Sequence, residues 1–250
     1  MSFSDTSNKP ATAVILAGGD ASDRLARHQA APAKAHVTIG GRSLADLVVT
    51  ALSEASSVNR IVFVGSLPAD TSRQPDAVVP SGKLFSDSVA LGLGAALGLD
   101  PQAPLLLCTC DLPWLTGAAV DRFVNQAHDD LNYPIVSREV ALKDFPGQER
   151  TWVKLKQGQV TGGNLALIQA KVVPDLLLLT DRFFRARKNP LALSSLVGFG
   201  TLIDLLLGRA DLPSLEKRVS ALLGHRARAV WAEDASLGAD VDKPEQLPAD

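Results

Sequence analysis

The chain has 250 residues, with 25 lysines and arginines against 27 aspartates and glutamates, so its formal net charge at pH 7 is −2. Hydrophobic residues make up 46% of the sequence, which suits a folded chain with a proper core and argues against disorder. The near-neutral net charge argues against a protein that binds nucleic acid mainly through overall positive charge. Two cysteines cannot form a disulfide framework, and four scattered histidines do not resemble a zinc site.

Neither a targeting segment nor a membrane span is expected. Residues Met1 to Pro10 are polar, which is unlike a secretory signal. The longest apolar stretch, Val89 to Cys110, is interrupted by polar residues and prolines, and so it falls short of the roughly 18 apolar residues that cross a bilayer. We therefore expect a soluble, cytoplasmic protein with no membrane partner.

The first half of the chain alternates apolar runs with segments of helical spacing. Three short apolar runs predict strands that are buried on both faces: Ala11–Ala17, Ile61–Val64 and Leu105–Cys110. Between and after them, helices are predicted over Ser43–Ser53, Asp87–Leu99 and Thr116–Ala127. The segment His36–Ile39 also reads as strand-like. This alternation predicts a mostly parallel sheet covered by helices.

The second half of the chain has a different pattern. Four further strand-like segments are Ile135–Val136, Thr151–Lys156, Leu165–Ile168 and Arg226–Ala232. From Pro174 to Gly224 the sequence favours helices, separated by short breaks at proline, asparagine and glycine. No linker is rich enough in proline, glycine or serine to mark a boundary. The sequence therefore predicts a single domain over residues 1–250, with a helix-rich insertion at about 171–225.

Several residues at predicted strand ends have chemistry suited to phosphate and metal. Gly18-Gly19 follows the first strand, where backbone N–H groups can cradle a phosphate, although a plain turn has the same composition. Lys34 could return to that loop or simply lie on the surface. Asp111 ends the third strand, where the ligand crevice of a parallel sheet lies, and could hold Mg²⁺ or cap a turn. Asp240 and Asp242 precede a proline in a pattern that also suits a helix start.

Common catalytic signatures are absent. Gly92-Leu93-Gly94 has the wrong spacing for a dinucleotide fingerprint, and Gly82-Lys83 lacks the rest of a P-loop. Neither a nucleophile elbow nor an HExxH motif occurs. Cys108 and Cys110 lie two apart on a predicted strand, which favours a pair of buried core cysteines.

Five motifs in order resemble those of the MobA-like nucleotidyltransferases, a family that includes molybdenum-cofactor guanylyl- and cytidylyltransferases. The motifs extend over nearly the whole chain, from residue 16 to residue 247. They are Leu16-Ala17-Gly18-Gly19, the segment Lys34–Leu44, Cys110-Asp111-Leu112-Pro113, Thr161-Gly162-Gly163-Asn164 and the segment Asp240–Leu247. Each motif is weak alone, and their order and positions at strand ends give the resemblance its specificity.

The resemblance implies a three-layer α/β/α sandwich with a mostly parallel Rossmann-like sheet, similar to the glycosyltransferase-A fold. It implies transfer of a nucleoside monophosphate from an NTP, usually GTP or CTP, to a phosphorylated small-molecule acceptor with release of pyrophosphate. Such chemistry needs positioning and charge neutralisation rather than a protein nucleophile. Mg²⁺ is the implied cofactor.

Residue roles follow from the same resemblance. Lys34 and Asp111 match the catalytic positions, and Asp111 and Asp242 match the metal ligands. The nucleotide would be bound by Leu16, Ala17, Gly18, Gly19, Arg24, Lys34, Ser88 and Gly92. The acceptor would be bound by Lys154, Gly162, Gly163 and Asn164. Trp152 and Phe145 suit either substrate stacking or the core.

Two features depart from the family pattern or stand outside it. The first motif continues as Asp20-Ala21-Ser22-Asp23-Arg24, and two acids beside a triphosphate would repel it unless they point away or bind metal. The basic cluster of Arg182, Arg185, Arg187 and Lys188 suits either binding of the acceptor phosphate or a partner, or a solvated helix face. Two alternative functions stay open: a glycosyltransferase that uses a nucleotide-sugar, and a non-catalytic nucleotide-binding module.

Overall fold

The computed structural model describes residues 9–186, 204 and 208–247. Within these ranges the strands are β1 (Ala11–Ala17), β2 (Thr38–Ile39), β3 (Arg42–Ser43), β4 (Val58–Gly65), β5 (Ala77–Val79), β6 (Leu105–Thr109), β7 (Leu131–Ser137), β8 (Val153–Leu155), β9 (Gly158–Gly162), β10 (Leu165–Ile168) and β11 (Ala227–Ala232). The α-helices are α1 (Arg24–His28), α2 (Leu44–Glu54), α3 (Phe85–Leu99), α4 (Gly117–Gln126), α5 (Arg138–Asp144), α6 (Val173–Ala186) and α7 (Leu212–Leu223).

The main sheet has nine strands in the described part of the chain. Eight follow the order β5-β4-β1-β6-β10-β7-β9-β8, and β11 pairs with β7. Strands β5, β4, β1 and β6 are mutually parallel, as are β7 and β11, whereas β10 and β9 run antiparallel to their neighbours. The sheet is therefore mixed and mostly parallel, as the sequence predicts.

Strand β1 lies at the centre of this arrangement. All seven of its residues are buried, because it pairs with β4 on one side and β6 on the other while helices cover both faces. Its register aligns Ala17 with Gly65 and Leu16 with Thr109. The carboxyl ends of β1, β4 and β6 consequently share one edge of the sheet, where ligands of open α/β folds bind.

Two hydrophobic cores separate the layers. Alternate β1 residues such as Ile15 face a core that includes α2 and α4. The intervening residues, such as Val14, face a second core that includes α3 and the partly buried side of α6. Because successive strand residues point to opposite faces, this alternation gives a three-layer α/β/α sandwich. The fold expected from the sequence is confirmed.

The segment around Lys34 differs from the sequence prediction. His36–Ile39 was expected to be strand-like, but Lys34–His36 forms a 3₁₀ turn and only Thr38–Ile39 is extended. That short strand pairs with β3 in a hairpin apart from the main sheet. Gly40 and Gly41 form its tip, both with positive φ (56° and 77°), as a two-residue type I′ turn requires.

Other predicted elements are confirmed with shifted ends, and short ones were missed. The strand predicted over Thr151–Lys156 is limited to β8, and α1, α5, β5 and β9 had no counterpart in the sequence prediction. Helices α6 and α7 lie in the expected helix-rich insertion, of which residues 187–203 and 205–207 fall outside the described ranges. None of the helices in the described ranges is long and apolar enough to cross a membrane.

Candidate active site

A cleft of about 340 Å³ opens at the carboxyl ends of β1 and β6, in front of the first turn of α3. Its lining residues are Leu16, Ala17, Gly18, Gly19, Lys34, Ala35, Gly82, Lys83, Leu84, Phe85, Ser88, Thr109, Cys110 and Asp111. The structure thus brings together most of the residues that the sequence assigned to a nucleotide site. A cleft of this volume is within the range of small-molecule binding sites.

The glycine loop after β1 leads directly into helix α1. Gly19 has a φ of 126°, a conformation that favours glycine. The two acids that follow are engaged with their own backbone. Asp23 caps α1 by accepting hydrogen bonds from the N–H groups of Leu25 and Ala26, and Asp20 accepts one from Ser22 N at 2.8 Å. Hydrogen bonds from the side chain and the backbone of Ser22 lower the pKa of Asp20.

The segment from Gly82 to Ser88 forms the wall opposite the glycine loop. Ser88 is buried, and its Oγ accepts a hydrogen bond from Gly82 N at 3.0 Å. A Cβ on Gly82 would lie 2.2 Å from the Cβ of Asp87, so this close approach requires glycine. Leu84 and Phe85 are exposed apolar side chains that line the cleft. The sequence analysis assigned Ser88 to the nucleotide but set Gly82-Lys83 aside as an incomplete P-loop, although a glycine just before a helix was the available signal.

Gly92 lies one turn beyond Ser88 and does not line the cleft. A Cβ there would lie 2.5 Å from Val14 Cγ1 and 2.7 Å from Val64 Cγ2, both on buried side chains of the sheet. The residue permits close packing of α3 on β1 and β4. The structure therefore separates Gly92 from the other residues assigned to the nucleotide.

Lys34 lies at the mouth of the cleft, where the 3₁₀ turn directs its side chain toward β6. Its Nζ lies 2.6 Å from Asp111 Oδ2 and 2.5 Å from Asp242 Oδ1, and the side chain is only 16% exposed. Burial alone would lower the pKa of this ammonium, but the charges of Asp111 and Asp242 and their hydrogen bonds outweigh burial and raise it. Lys34 is thus held protonated between two carboxylates.

Three carboxylates gather beside Lys34. Asp111, Asp240 and Asp242 each offer an oxygen within 4.8 Å of the others. Thr109 Oγ1 donates a hydrogen bond to Asp111 Oδ1 at 2.6 Å, and Val241 N donates to the Asp111 carbonyl at 3.0 Å, which ties the C-terminal segment to β6. Carboxylate oxygens are the ligands that hard divalent cations prefer, so the donor set fits Mg²⁺.

Asp240 is paired with Arg150, and sequence reasoning assigned a role to neither. The Arg150 side chain is only 7% exposed, with Nη1 3.6 Å from Asp240 Oδ1 and Nη2 2.7 Å from Gln148 Oε1. Burial, followed by the charges of Asp111 and Asp242, raises the pKa of Asp240. The Asp-x-Asp spacing was a signal for Asp240, whereas nothing local marks Arg150.

Gly162, Gly163 and Asn164 connect β9 to β10 beside the end of β6. Thr109 N donates a hydrogen bond to the Asn164 carbonyl at 3.1 Å, which places this segment beside the last residue of β6, two residues before Asp111. A Cβ on Gly162 would lie 2.4 Å from the Tyr133 hydroxyl oxygen, and one on Gly163 would lie 2.7 Å from Pro134 Cγ. Both glycines thus have a packing reason as well as a place near the carboxylates.

Arg24, Lys154 and the described part of the basic cluster also lie outside the cleft. Arg24 is exposed and forms an ion pair with Glu245, 2.7 Å apart. Lys154 is exposed on the short strand β8. In the basic cluster, Arg182 is exposed on α6, whereas the side chains of residues 183–188 lie outside the described part of the chain.

The aromatic and cysteine candidates belong to the core. The ring centroids of Phe145 and Trp114 lie 5.0 Å apart. Both Phe145 and Trp152 are partly buried against the core that includes α2 and α4. Cys108 and Cys110 are buried free thiols, which confirms the expectation of core cysteines, although Cys110 also borders the cleft. Burial, followed by nearby negative charge, raises the pKa of each thiol.

This fold, with a glycine-lined cleft at the strand ends, is that of a nucleotidyltransferase-type domain. Residues 13–190 match the family described as the MobA-like NTP transferase domain. The chain therefore belongs to the MobA-like NTP transferase family, and it is a transferase-type protein by that membership.

Solved structures agree with this placement. A hypothetical transferase from Thermus thermophilus is 34% identical, with a TM-score of 0.86 over 96% of this chain and 100% of that one. A 4-diphosphocytidyl-2C-methyl-D-erythritol synthase from Anaerococcus prevotii has a TM-score of 0.54 at 12% identity, covering 95% of this chain and 92% of that chain. A CMP:2-keto-3-deoxy-manno-octonic acid synthetase complexed with CTP has a TM-score of 0.57 at 12% identity, with 95% of each chain covered. At such identities the last two show the fold alone. Comparison with curated proteins gave no match.

Proposed function

We propose that the protein transfers a nucleoside monophosphate from an NTP to a phosphorylated small-molecule acceptor and releases pyrophosphate. One observation carries this proposal: Lys34 and the carboxylates of Asp111 and Asp242 meet at the mouth of the cleft that Gly18 and Gly19 line. An ammonium beside a glycine loop suits the phosphates of a triphosphate, and carboxylates beside them suit its cation.

The nucleotide would lie along the cleft between the glycine loop and the Gly82–Ser88 segment. Backbone N–H groups of Gly18 and Gly19 would bind phosphate oxygens, and Lys34 would neutralise charge on the α-phosphate. Leu84 and Phe85 supply exposed apolar surface that suits the flat face of a base. GTP and CTP are the proposed donors.

Asp111 and Asp242 would hold Mg²⁺. When bound, Mg²⁺ neutralises developing charge on phosphate oxygens and orients them for displacement. Thr109 orients the Asp111 carboxylate through its 2.6 Å hydrogen bond. The N–H groups of Asp242 and Lys243 donate to Gln246 Oε1 at 2.7 and 2.8 Å, which fixes the C-terminal segment that carries Asp242.

The reaction is an in-line displacement at phosphorus. An oxygen of the acceptor phosphate forms a bond to the α-phosphorus, and the bond from that phosphorus to the bridging oxygen breaks. Pyrophosphate leaves with the electron pair of that bond, so no protein nucleophile is needed. The buried thiols of Cys108 and Cys110, whose pKa values burial raises, suit this absence of covalent catalysis.

The acceptor would approach from the side of Gly162, Gly163 and Asn164. Arg150 supplies positive charge behind Asp240 on that side. A phosphorylated acceptor therefore meets a region in which Lys34 and Arg150 partly offset three carboxylates. Lys154 and Arg24 stay candidates for contacts with distal parts of the substrates.

Two observations favour this proposal over its alternatives. A glycosyltransferase that uses a nucleotide-sugar has no need of a glycine loop with a facing lysine, because its donor carries no triphosphate. The acidic loop Asp20–Asp23 suggested a non-catalytic module, but both carboxylates are occupied by backbone N–H groups of their own loop and helix. The loop acids therefore give no reason to expect lost activity.

The test is pyrophosphate release with each of the four NTPs, Mg²⁺ and a panel of phosphorylated acceptors. We expect release with at least one pair and a fall of at least 100-fold in Asp111→Asn. Arg60→Met is the control, because Arg60 lies toward the start of β4, beside Thr12 and away from the carboxyl ends that border the cleft, and forms an exposed ion pair with Asp76. Hydrolysis of a nucleotide-sugar without NTP turnover would support the glycosyltransferase instead.

A further inference from the structure

The Lys34 ammonium occupies a specific position relative to the carboxylates of the proposed metal site. Its Nζ bridges Asp111 Oδ2 at 2.6 Å and Asp242 Oδ1 at 2.5 Å. Asp240, the third member of the cluster, pairs with Arg150 rather than with Lys34. One lysine therefore contacts both carboxylates that the proposed function assigns to the cation, and it uses the oxygens that a cation would need.

We propose that Lys34 and the divalent cation compete for Asp111 and Asp242, and that the triphosphate ends this competition by drawing Lys34 to its own oxygens. This inference rests on the proposed function. It makes Lys34 the element that couples the two ligands: the cation alone binds weakly, and the nucleotide and cation bind cooperatively.

The geometry favours an exchange rather than simultaneous binding. An ammonium and a divalent cation on the same two carboxylates would repel each other, and both would need the same oxygen lone pairs. The Lys34 ammonium lies at the end of a flexible four-carbon side chain. The Lys34 backbone, in contrast, is held by a hydrogen bond from Val37 N to the Lys34 carbonyl at 3.1 Å. The side chain can therefore turn while the 3₁₀ turn stays in place.

The destination of Lys34 is in the same cleft. Lys34, Gly18 and Gly19 all line it, so a triphosphate on the glycine loop lies on the side to which the ammonium would turn. Departure of Lys34 removes the one ammonium that contacts both Asp111 and Asp242 in the described ranges, while Arg150 stays beside Asp240 and Lys243 still acts on Asp242. The loss of that positive charge strengthens the attraction of the carboxylates for a divalent cation. By linkage, the factor by which the nucleotide tightens cation binding equals the factor by which the cation tightens nucleotide binding.

The test uses Mn²⁺ alone, measured by electron paramagnetic resonance on the full chain without nucleotide. We expect Lys34→Gln and Lys34→Met to bind Mn²⁺ at least 10-fold more tightly than the wild type. Lys34→Arg keeps the charge and should keep weak binding. Lys171→Gln is the control for removal of one positive charge, because Lys171 pairs with Asp130 and does not line the cleft, and its effect should stay within 2-fold.

Equal or weaker Mn²⁺ binding in both neutral variants would overturn the inference, as would the absence of Mn²⁺ binding in every protein. If the neutral variants do not fold, the wild type decides the matter by NMR of its ¹³C-methylated lysines. The Lys34 signal should move as Mg²⁺ saturates, and an unmoved signal would refute the exchange. Absence of pyrophosphate release, with the Mn²⁺ result intact, would instead count against the proposed reaction.

Discussion

Substitution of Gly92 by alanine tests whether this glycine serves packing or nucleotide binding. The new Cβ would lie 2.5 Å from Val14 Cγ1 and 2.7 Å from Val64 Cγ2, and both valines are fully buried in stiff rotamers. Such overpacking costs about 1–3 kcal/mol, and contacts this short place the cost in the upper part of that range. Alanine also gains about 1 kcal/mol of helix propensity over glycine.

Gly94, two residues further along α3, provides the matched control. A Cβ there meets nothing within 4 Å, so Gly94→Ala gains the same helix propensity without any clash. The difference in unfolding free energy between the two variants is then about 2–3 kcal/mol, because the propensity gain cancels. In a chain of this size that corresponds to roughly 4–12 °C in the melting temperature.

The assays are thermal and urea unfolding of both variants, with nucleotide binding measured below the transition. We expect Gly92→Ala to melt lower than the wild type and Gly94→Ala to melt slightly higher. Nucleotide affinity of Gly92→Ala should stay close to that of the wild type. Equal melting temperatures, or lost nucleotide binding with unchanged stability, would refute the packing argument and return Gly92 to the nucleotide site.

Three further substitutions or treatments have defined outcomes. Hydrogen bonds at 2.6–3.0 Å from two serines outweigh burial and lower the pKa of Asp121 from 3.8, so the stability it contributes is full above about pH 4 and is lost as the pH falls. Asp121→Asn should therefore cost about 1 kcal/mol at pH 7, and urea unfolding at a series of pH values should show this gap narrowing as the pH falls below about 4. Asp23→Ala removes the α1 cap, which should cost about 1 kcal/mol and speed hydrogen exchange in α1. Cys108 and Cys110 are buried, and their thiol pKa values are raised by burial, so both should resist alkylation at pH 8 until the protein is denatured.

The sequence was sufficient for the core of the fold because its central strands are unusually clear. Ala11–Ala17 is a continuous apolar run, and the structure buries every residue in it. The predicted bounds of helices α2, α3 and α4 lie within two residues of the observed ones, and α2 and α4 begin after the polar N-caps Ser43 and Thr116. Short elements such as β5 and α1 escaped prediction, because three to five residues are too few for a periodic pattern.

The site was only partly predictable from the sequence. Lys34, Asp111 and Asp242 stand in recognisable motifs, and the fold places Lys34 Nζ 2.6 Å from Asp111 and 2.5 Å from Asp242. Arg150 has no motif, because its importance comes from burial beside Asp240, which depends on how two distant loops pack. For Gly92 the motif was misleading. Its segment resembles the family's nucleotide-binding segment, but Gly92 itself packs against Val14 and Val64.

A crystal structure with Mg²⁺ and a non-hydrolysable analogue of the active NTP is the most direct test of the nucleotide site. We expect the triphosphate against Gly18 and Gly19, the metal on Asp111 and Asp242, and Lys34 turned from the carboxylates to the phosphates. A nucleotide bound elsewhere, or bound in the cleft with Lys34 still between the two carboxylates and no metal on them, would contradict the proposed arrangement.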